Sequence, residues 1–143
     1  APMVNNEVAK AKSTMDGMLI TIGYLKRTLI LTIPLVLVAC MIPESIYLFI
    51  FGIDGIAIPI RLLAPGMIAG AISSIIAHHL SGVGLHKWNA ITSGLALIVL
   101  LCVGNYVIPT MEVCGAAIAA SCAYSAQALG LILIWTILSR EEN

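Results

Sequence analysis

Residues 88–138 read WNAITSGLALIVLLCVGNYVIPTMEVCGAAIAASCAYSAQALGLILIWTIL, and Glu112 is the one Asp, Glu, Lys or Arg among them. Two apolar runs, Trp88–Ile108 and Val113–Leu138, meet at the short segment Pro109–Cys114. A hydrocarbon core about 30 Å thick takes about 20 residues of α-helix, so each run is long enough to span it. Backbone N–H and C=O groups find no water to pair with in lipid, and no strand-length alternation appears, so helix is the structure that fits.

Working outward, Leu62–Leu80 is a third run of this kind. Further upstream, Thr28–Ile53 is apolar except at Pro43 and Glu44. Thr28–Ile42 alone would run roughly 22 Å at about 1.5 Å per residue, short of a span, whereas continuing to Phe51 reaches about 36 Å. The pattern therefore predicts one long helix kinked near Pro43. The expected fold is all-α: an integral membrane bundle of four transmembrane helices, with spans near 28–51, 62–80, 88–108 and 113–138. Residues 28–143 form this region, and residues 1–27 precede it as a cytoplasmic amphipathic lead-in. That lead-in mixes charge with Met15, Met18, Leu19, Ile20 and Ile22, too polar to span and without the order of a signal peptide. The chain opens at Ala1 without an initiator Met, which fits processing of a Met-Ala start or, the favoured expectation, a chain whose upstream part is absent.

Composition agrees with the lipid reading. Of 143 residues, 60% are hydrophobic and 10% charged, with a mean hydropathy of +1.05, against about 45–50% apolar and about 25% charged in soluble proteins. Seven basic and seven acidic residues give a net charge of zero, so no overall field argues for nucleic acid as partner. The placement of the basic residues is more informative. An even number of spans puts both termini on one side, with Lys10, Lys12, Lys26, Arg27, Lys87 and Arg140, and leaves Arg61 alone opposite. The positive-inside rule then makes both termini and the Ser81–Lys87 loop cytoplasmic, and turns Gly52–Pro59 and Pro109–Cys114 outward.

Little in the chain speaks for chemistry. Cys40, Cys102, Cys114 and Cys122 lack paired C-x-x-C spacing, and His78 and His79 point about 100° apart on one helix, so neither set suggests a metal site. No nucleophile motif or Gly-rich phosphate loop occurs. The expectation is a chain that is not an enzyme, with no catalytic residues, metal or cofactor. Packing chemistry is plainer. Gly66 and Gly70 form a G-x-x-x-G pair that continues to Ser74, Gly115, Ala119 and Ala123 form a second row, and Gly130 ends a third with Cys122 and Ala126. Rows of small residues let helix backbones approach closely in lipid, on two sides of the last helix.

Five pieces in order carry a family resemblance: Leu48-Phe49-Ile50-Phe51-Gly52, Arg61-Leu62-Leu63-Ala64-Pro65-Gly66, Ser81-Gly82-Val83-Gly84, Asn105 with Ile108-Pro109, and Gly115-Ala116-Ala117-Ile118-Ala119. From about Thr28 to about Leu138 the chain resembles the C-terminal region of polysaccharide-biosynthesis flippases, the O-antigen and exopolysaccharide exporters of the superfamily that includes the multidrug and toxin extrusion transporters. The resemblance implies a MATE-like arrangement of the last four helices and residence in the bacterial inner membrane. It also implies an undecaprenyl-pyrophosphate-type lipid-linked oligosaccharide as substrate, turned between leaflets by alternating access. Such transporters have more spans, so the implied partners are the missing N-terminal helices or another membrane subunit. Two other readings stay open: a membrane assembly subunit without transport of its own, and a membrane enzyme, against which the scatter of acids, His and Cys argues.

Two residues are candidates for substrate contact. Arg61 stands against the orientation signal, and its planar guanidinium suits phosphate oxygens; anchoring to lipid headgroups or pairing with Asp54 or Glu44 is the structural alternative. Glu44, beside Pro43, either caps the kink or faces a cavity as a titratable acid for cation or proton coupling. The topology is open to direct test: a cysteine placed at Asp54 or Glu112 should label from outside intact cells, and labelling at Lys87 from outside would reverse the assignment.

Overall fold

The computed structural model of the chain describes residues 4, 7, 8 and 14–141, with side chains described at 4, 7, 8 and 16–138. Lys10 and Lys12 of the lead-in lie outside the described residues. Four helices follow one another: α1 (Thr14–Met41), α2 (Glu44–Phe51), α3 (Ala57–Gly82) and α4 (His86–Glu141). No strand occurs among the described residues.

Three of these, α1, α3 and α4, are long and apolar enough to cross a bilayer. A straight α4 of 56 residues would be roughly 84 Å long, far more than a bilayer needs. Instead it doubles back at Glu112, whose φ of 48° and ψ of −118° are not helical. The legs 86–111 and 113–141 then run antiparallel. The backbone of Gly115 lies against Val107 and Ile108, Gly104 faces Ala119, Gln127 meets Ser93, and Gly130 meets Thr92. A non-glycine residue in this conformation carries strain of about 1–3 kcal/mol, concentrated at the hairpin tip.

The segment expected to be one kinked helix is two. α1 stops at Met41, and Pro43 adopts an extended conformation at the N-cap of α2. A proline has no N–H for the carbonyl four residues back and disfavours helical geometry in the residue before it, so Ile42 and Pro43 break the helix rather than bend it. Within the lead-in, α1 runs without interruption from Thr14 through Arg27 into the apolar run. Only Thr28–Met41 of α1 is then free of charge, roughly 21 Å of helix, which leaves the exposed Lys26 and Arg27 to reach the headgroups by extending their stems.

α3 packs against both α1 and α4. It is antiparallel to α1, with Arg61 reaching Cys40 at one end and His79 reaching Thr21 at the other. It runs parallel to the second leg of α4: Gly66 touches Ser121, Gly70 touches Tyr124, and Ile76 and Leu80 pack with Leu131. The turn between α3 and α4 uses Gly84 at a φ of 82° and is clamped by Asn89, whose amide donates to the Ala77 carbonyl and the Ser81 hydroxyl, both at 2.8 Å. Around this spine the surface is apolar. Phe49 is 91% exposed, and Leu31, Met41 and Leu133 are also on the outside. In water such a surface would drive association; in a bilayer it is the lipid-facing side.

The small residues divide according to geometry. Gly66 and Gly115 are buried at backbone contacts: a Cβ on Gly66 would come within 2.7 Å of the Ser121 Cα, and one on Gly115 within 2.6 Å of the Val107 carbonyl oxygen. Ala119 and Ala123 are buried between the legs of α4, and Gly130 sits against Thr92. Ser74, expected in the same row as Gly66 and Gly70, is exposed, and Ser73 is buried instead. A step of four residues turns a helix by about 40° beyond a full circle, so two steps carry Ser74 about 80° off the contact, while seven residues bring Ser73 and then Leu80 back to it.

The glycine pair can therefore be separated by experiment. Gly66→Ala should lower stability by about 1–3 kcal/mol, because the Ser121 backbone cannot yield. Gly70→Ala, whose Cβ would meet only the Tyr124 ring at 3.6 Å, should stay within about 0.5 kcal/mol and can gain from helix propensity. Thermal unfolding in detergent reads both, and equal losses would contradict this packing.

Candidate functional site

Sequence reasoning singled out Glu44 and Arg61, and the structure places both where α1, α2 and α3 meet. The chain break is the cause. Ile42 still donates to the Val38 carbonyl at 3.2 Å, but Pro43 cannot donate to the carbonyl of Ala39, and the end of the helix leaves the Cys40 carbonyl without a helical partner. The Tyr47 hydroxyl, from α2, donates to the Ala39 oxygen at 2.6 Å. The Arg61 Nε, from α3, donates to the Cys40 oxygen at 3.0 Å. In the opposite sense, Glu44 supplies both carboxylate oxygens to the start of α3, accepting from the Ile56 N–H at 2.9 Å and the Ala57 N–H at 3.0 Å.

Charge and helix dipole agree at each contact. A carboxylate sits at the amino end of α3, and a guanidinium at the carboxyl end of α1. Tyr47 is buried and stacks its ring 6.3 Å from Phe51, which holds its hydroxyl toward α1. Asp54 does not join this group, since its Oδ1 accepts from the N–H of Gly55. Among the described residues Arg61 makes no ion pair. Its side chain is exposed, and the bond to Cys40 occupies Nε while leaving the terminal N–H groups of the fork outward. What the arrangement offers chemically is one fixed cation with a planar donor edge, suited to a carboxylate or phosphate.

A second polar cluster lies at the other end of the bundle. His79 is buried, with Nδ1 2.7 Å from the Thr21 Oγ1 and its ring edge-on to Trp135 at 6.1 Å. The Thr21 hydroxyl donates to the Gly17 carbonyl at 2.9 Å, so its one proton is committed and His79 Nδ1 is the donor between them. A cavity of about 420 Å³ opens beside this cluster, lined by Met18, His79, Val83, Trp135 and Leu138 among others. Sequence reasoning found in His78 and His79 only the absence of a metal pair; the partner of His79 lies 58 residues away, and no local signal connects them. The four cysteines are free thiols, and no group of three His, Cys, Asp or Glu capable of holding a metal occurs among the described residues.

Compared with known proteins, the chain matches no family model, no curated protein and no solved structure. The class that fold and site define is a membrane-embedded helical bundle with a capped helix junction carrying one outward guanidinium.

The junction can be tested by removing each cap. Glu44→Ala should lower stability by about 1–2 kcal/mol through loss of both N-terminal acceptors. Tyr47→Phe should lower it by about 1 kcal/mol by orphaning the Ala39 carbonyl. An unchanged melting temperature for Tyr47→Phe would mean that another group takes that carbonyl.

Proposed function

We propose that this chain is the C-terminal portion of a flippase that moves lipid-linked oligosaccharide across the bacterial inner membrane for surface polysaccharide synthesis. Its working partners are the bilayer, an undecaprenyl-pyrophosphate-type carrier and further transmembrane helices. The observation that carries the reading is Arg61: its Nε is pinned by the Cys40 carbonyl, and its outer edge is exposed beside the start of α3. A pyrophosphate headgroup presents oxygens that a planar fork can take in pairs, and a pre-positioned fork loses less side-chain entropy on binding. Support also comes from the five sequence pieces of the resemblance, several of which occupy structural joints. Gly52 is the left-handed C-cap of α2, Gly66 and Gly115 are backbone contacts, Gly84 turns α3 into α4, and Pro109 stands just before the hairpin bend.

Glu44 takes a different role in this reading from the one its chemistry first suggests. Both of its oxygens hold backbone amides, so it serves the junction rather than the substrate. An assembly subunit without transport is the second reading, favoured by how little of α1 the rest of the chain covers: within Thr28–Met41 Val36 alone is buried.

Lysine separates anchoring from recognition, because it keeps the charge and the stem but loses the fork. In a complete transporter containing this region, Arg61→Lys should cut export on the order of tenfold, the value of one charge-assisted hydrogen bond. Membrane abundance should stay near wild type, the melting temperature should fall only slightly as the Cys40 carbonyl loses its Nε donor, and Arg61→Ala should be worse in both respects. Wild-type export by the lysine form would remove the phosphate role and leave Arg61 as a helix cap.

A further inference from the structure

The face of α1 turned away from α3 has a definite order along its length. Lys26, Leu29, Ile30, Ile33 and Pro34 recur at steps of three and four residues and line a hollow of about 460 Å³. Arg27 borders the same stripe, one turn before Ile30 and two before Pro34. Lys26 and Arg27 are both exposed. Beyond them the stripe is apolar for roughly 12 Å, the rise of the helix from Lys26 to Pro34.

Contacts between helices fix how deep these cations lie. Thr21 meets His79 and Cys40 meets Arg61, so in this antiparallel register Lys26 and Arg27 stand level with about Ser74 and Ser73 of α3. Trp135 stands against His79, and Asn89, beside Lys87 and Trp88, reaches Ala77 and Ser81. Two tryptophans and a loop cation thus share the level of Leu80 and mark it as one edge of the hydrocarbon. The α1 cations leave the backbone roughly 8–10 Å inside that edge. Helical side chains lean toward the N-terminus, which here is toward the Lys87 edge, so both stems reach back and hold their charges near the phosphate level.

Charge rooted at this depth calls for a counter-charge. Glu7 hydrogen-bonds the Tyr24 hydroxyl, and Arg27 lies within electrostatic range of the same group, so Arg27 has a carboxylate in its surroundings. Lys26 makes no ion pair among the described residues. A second copy of the chain carries the acids of its apolar runs, Glu44 and Glu112, toward the opposite edge, where they cannot meet Lys26. A zwitterionic lipid offers a phosphate whose charge its own ammonium already offsets. An anionic lipid matches the whole stripe, with negative charge at the cationic end and hydrocarbon along the remainder. We propose that this face of α1 binds an anionic phospholipid of the leaflet on the Lys87 side, its phosphate on Lys26 and Arg27 and one acyl chain along Leu29, Ile30, Ile33 and Pro34. The positive-inside rule makes that leaflet the cytoplasmic one. The site serves the chain whether or not it transports oligosaccharide.

The test reconstitutes the full chain in vesicles of phosphatidylglycerol and phosphatidylcholine in equal parts, extracts it in mild detergent and counts the retained lipid by native mass spectrometry. Wild type should retain phosphatidylglycerol over phosphatidylcholine on the order of tenfold, since each cation near the surface is worth about a factor of five. Lys26→Gln combined with Arg27→Gln should bring the ratio close to one. Ile33→Trp, which keeps both charges but fills the hollow, should lower retained phosphatidylglycerol severalfold. Lys87→Gln removes a cation at the same edge but off this face and should leave the ratio at the wild-type value. Helical circular dichroism should be unchanged in every variant. No preference in wild type, or undiminished retention in either the double variant or Ile33→Trp, overturns the proposal. An equal loss with Lys87→Gln overturns it in favour of diffuse surface charge. A dimer that retains no excess phosphatidylglycerol overturns it in favour of a second copy on this face. Added undecaprenyl phosphate that phosphatidylglycerol cannot displace overturns it in favour of the isoprenoid carrier.

Discussion

The architecture turns on backbone groups that a proline leaves unpaired inside an apolar setting. Pro43 withholds the N–H that the Ala39 carbonyl would otherwise receive, and the end of α1 leaves the Cys40 carbonyl in the same position. In water these oxygens would be hydrated at little cost. In a membrane they need protein donors, and Tyr47 and Arg61 provide them from two different helices. One of those bonds also fixes register. From Cys40 back to Thr21 is 19 residues of α1, and from Arg61 on to His79 is 18 residues of α3. Two polar contacts nearly equidistant along antiparallel helices hold them in line, with no pull from hydrophobicity available between helices that lipid solvates equally well.

The same shortage of hydrophobic driving force explains why the second leg of α4 is built from small residues. Association in lipid rests on dispersion contacts and hydrogen bonds, both of which need close approach. Gly66 admits Ser121 until the serine hydroxyl reaches the Leu62 carbonyl, one turn earlier in α3, at 2.7 Å. On its other side, Gly115 lets the hairpin close within one turn of Glu112. The strain at Glu112 is tolerable because both legs beyond it are held by such contacts.

Much of this was legible in the sequence, and the reasons are specific. Runs of uncharged apolar residues report a solvent rather than a partner, so the long helices and the bend near Pro109–Cys114 could be read directly. Pro43 was visible too, and it marks the Ala39 carbonyl as an orphan by simple counting. What counting cannot supply is the donor, since Tyr47 and Arg61 are brought there by the path of the chain through Gly52 and Gly55. Span length alone predicts a kink at Pro43, whereas the structure follows the local rule that a proline and the residue before it leave helical geometry. Ser74 was placed with Gly66 by a four-residue step that holds for one turn and drifts off the contact by the second. The link from Thr21 to His79 joins residues with no pattern in common.

Arg61 is the residue in which these considerations meet. As a lone basic group on the side assigned outward, it opposes the orientation signal, and that alone suggested a ligand. The structure supplies a prior reason for its presence: it neutralises the carboxyl end of α1, as Glu44 complements the amino end of α3, so the two charges are placed by two helix ends rather than by each other. A substrate role must therefore use what capping leaves over. For Glu44 little is left over, since both of its oxygens already hold α3 amides. For Arg61 the remainder is the terminal edge of the fork, still charged, still planar, and held steady by the very bond that caps α1. Capping and recognition thus do not compete at Arg61, whereas at Glu44 they would.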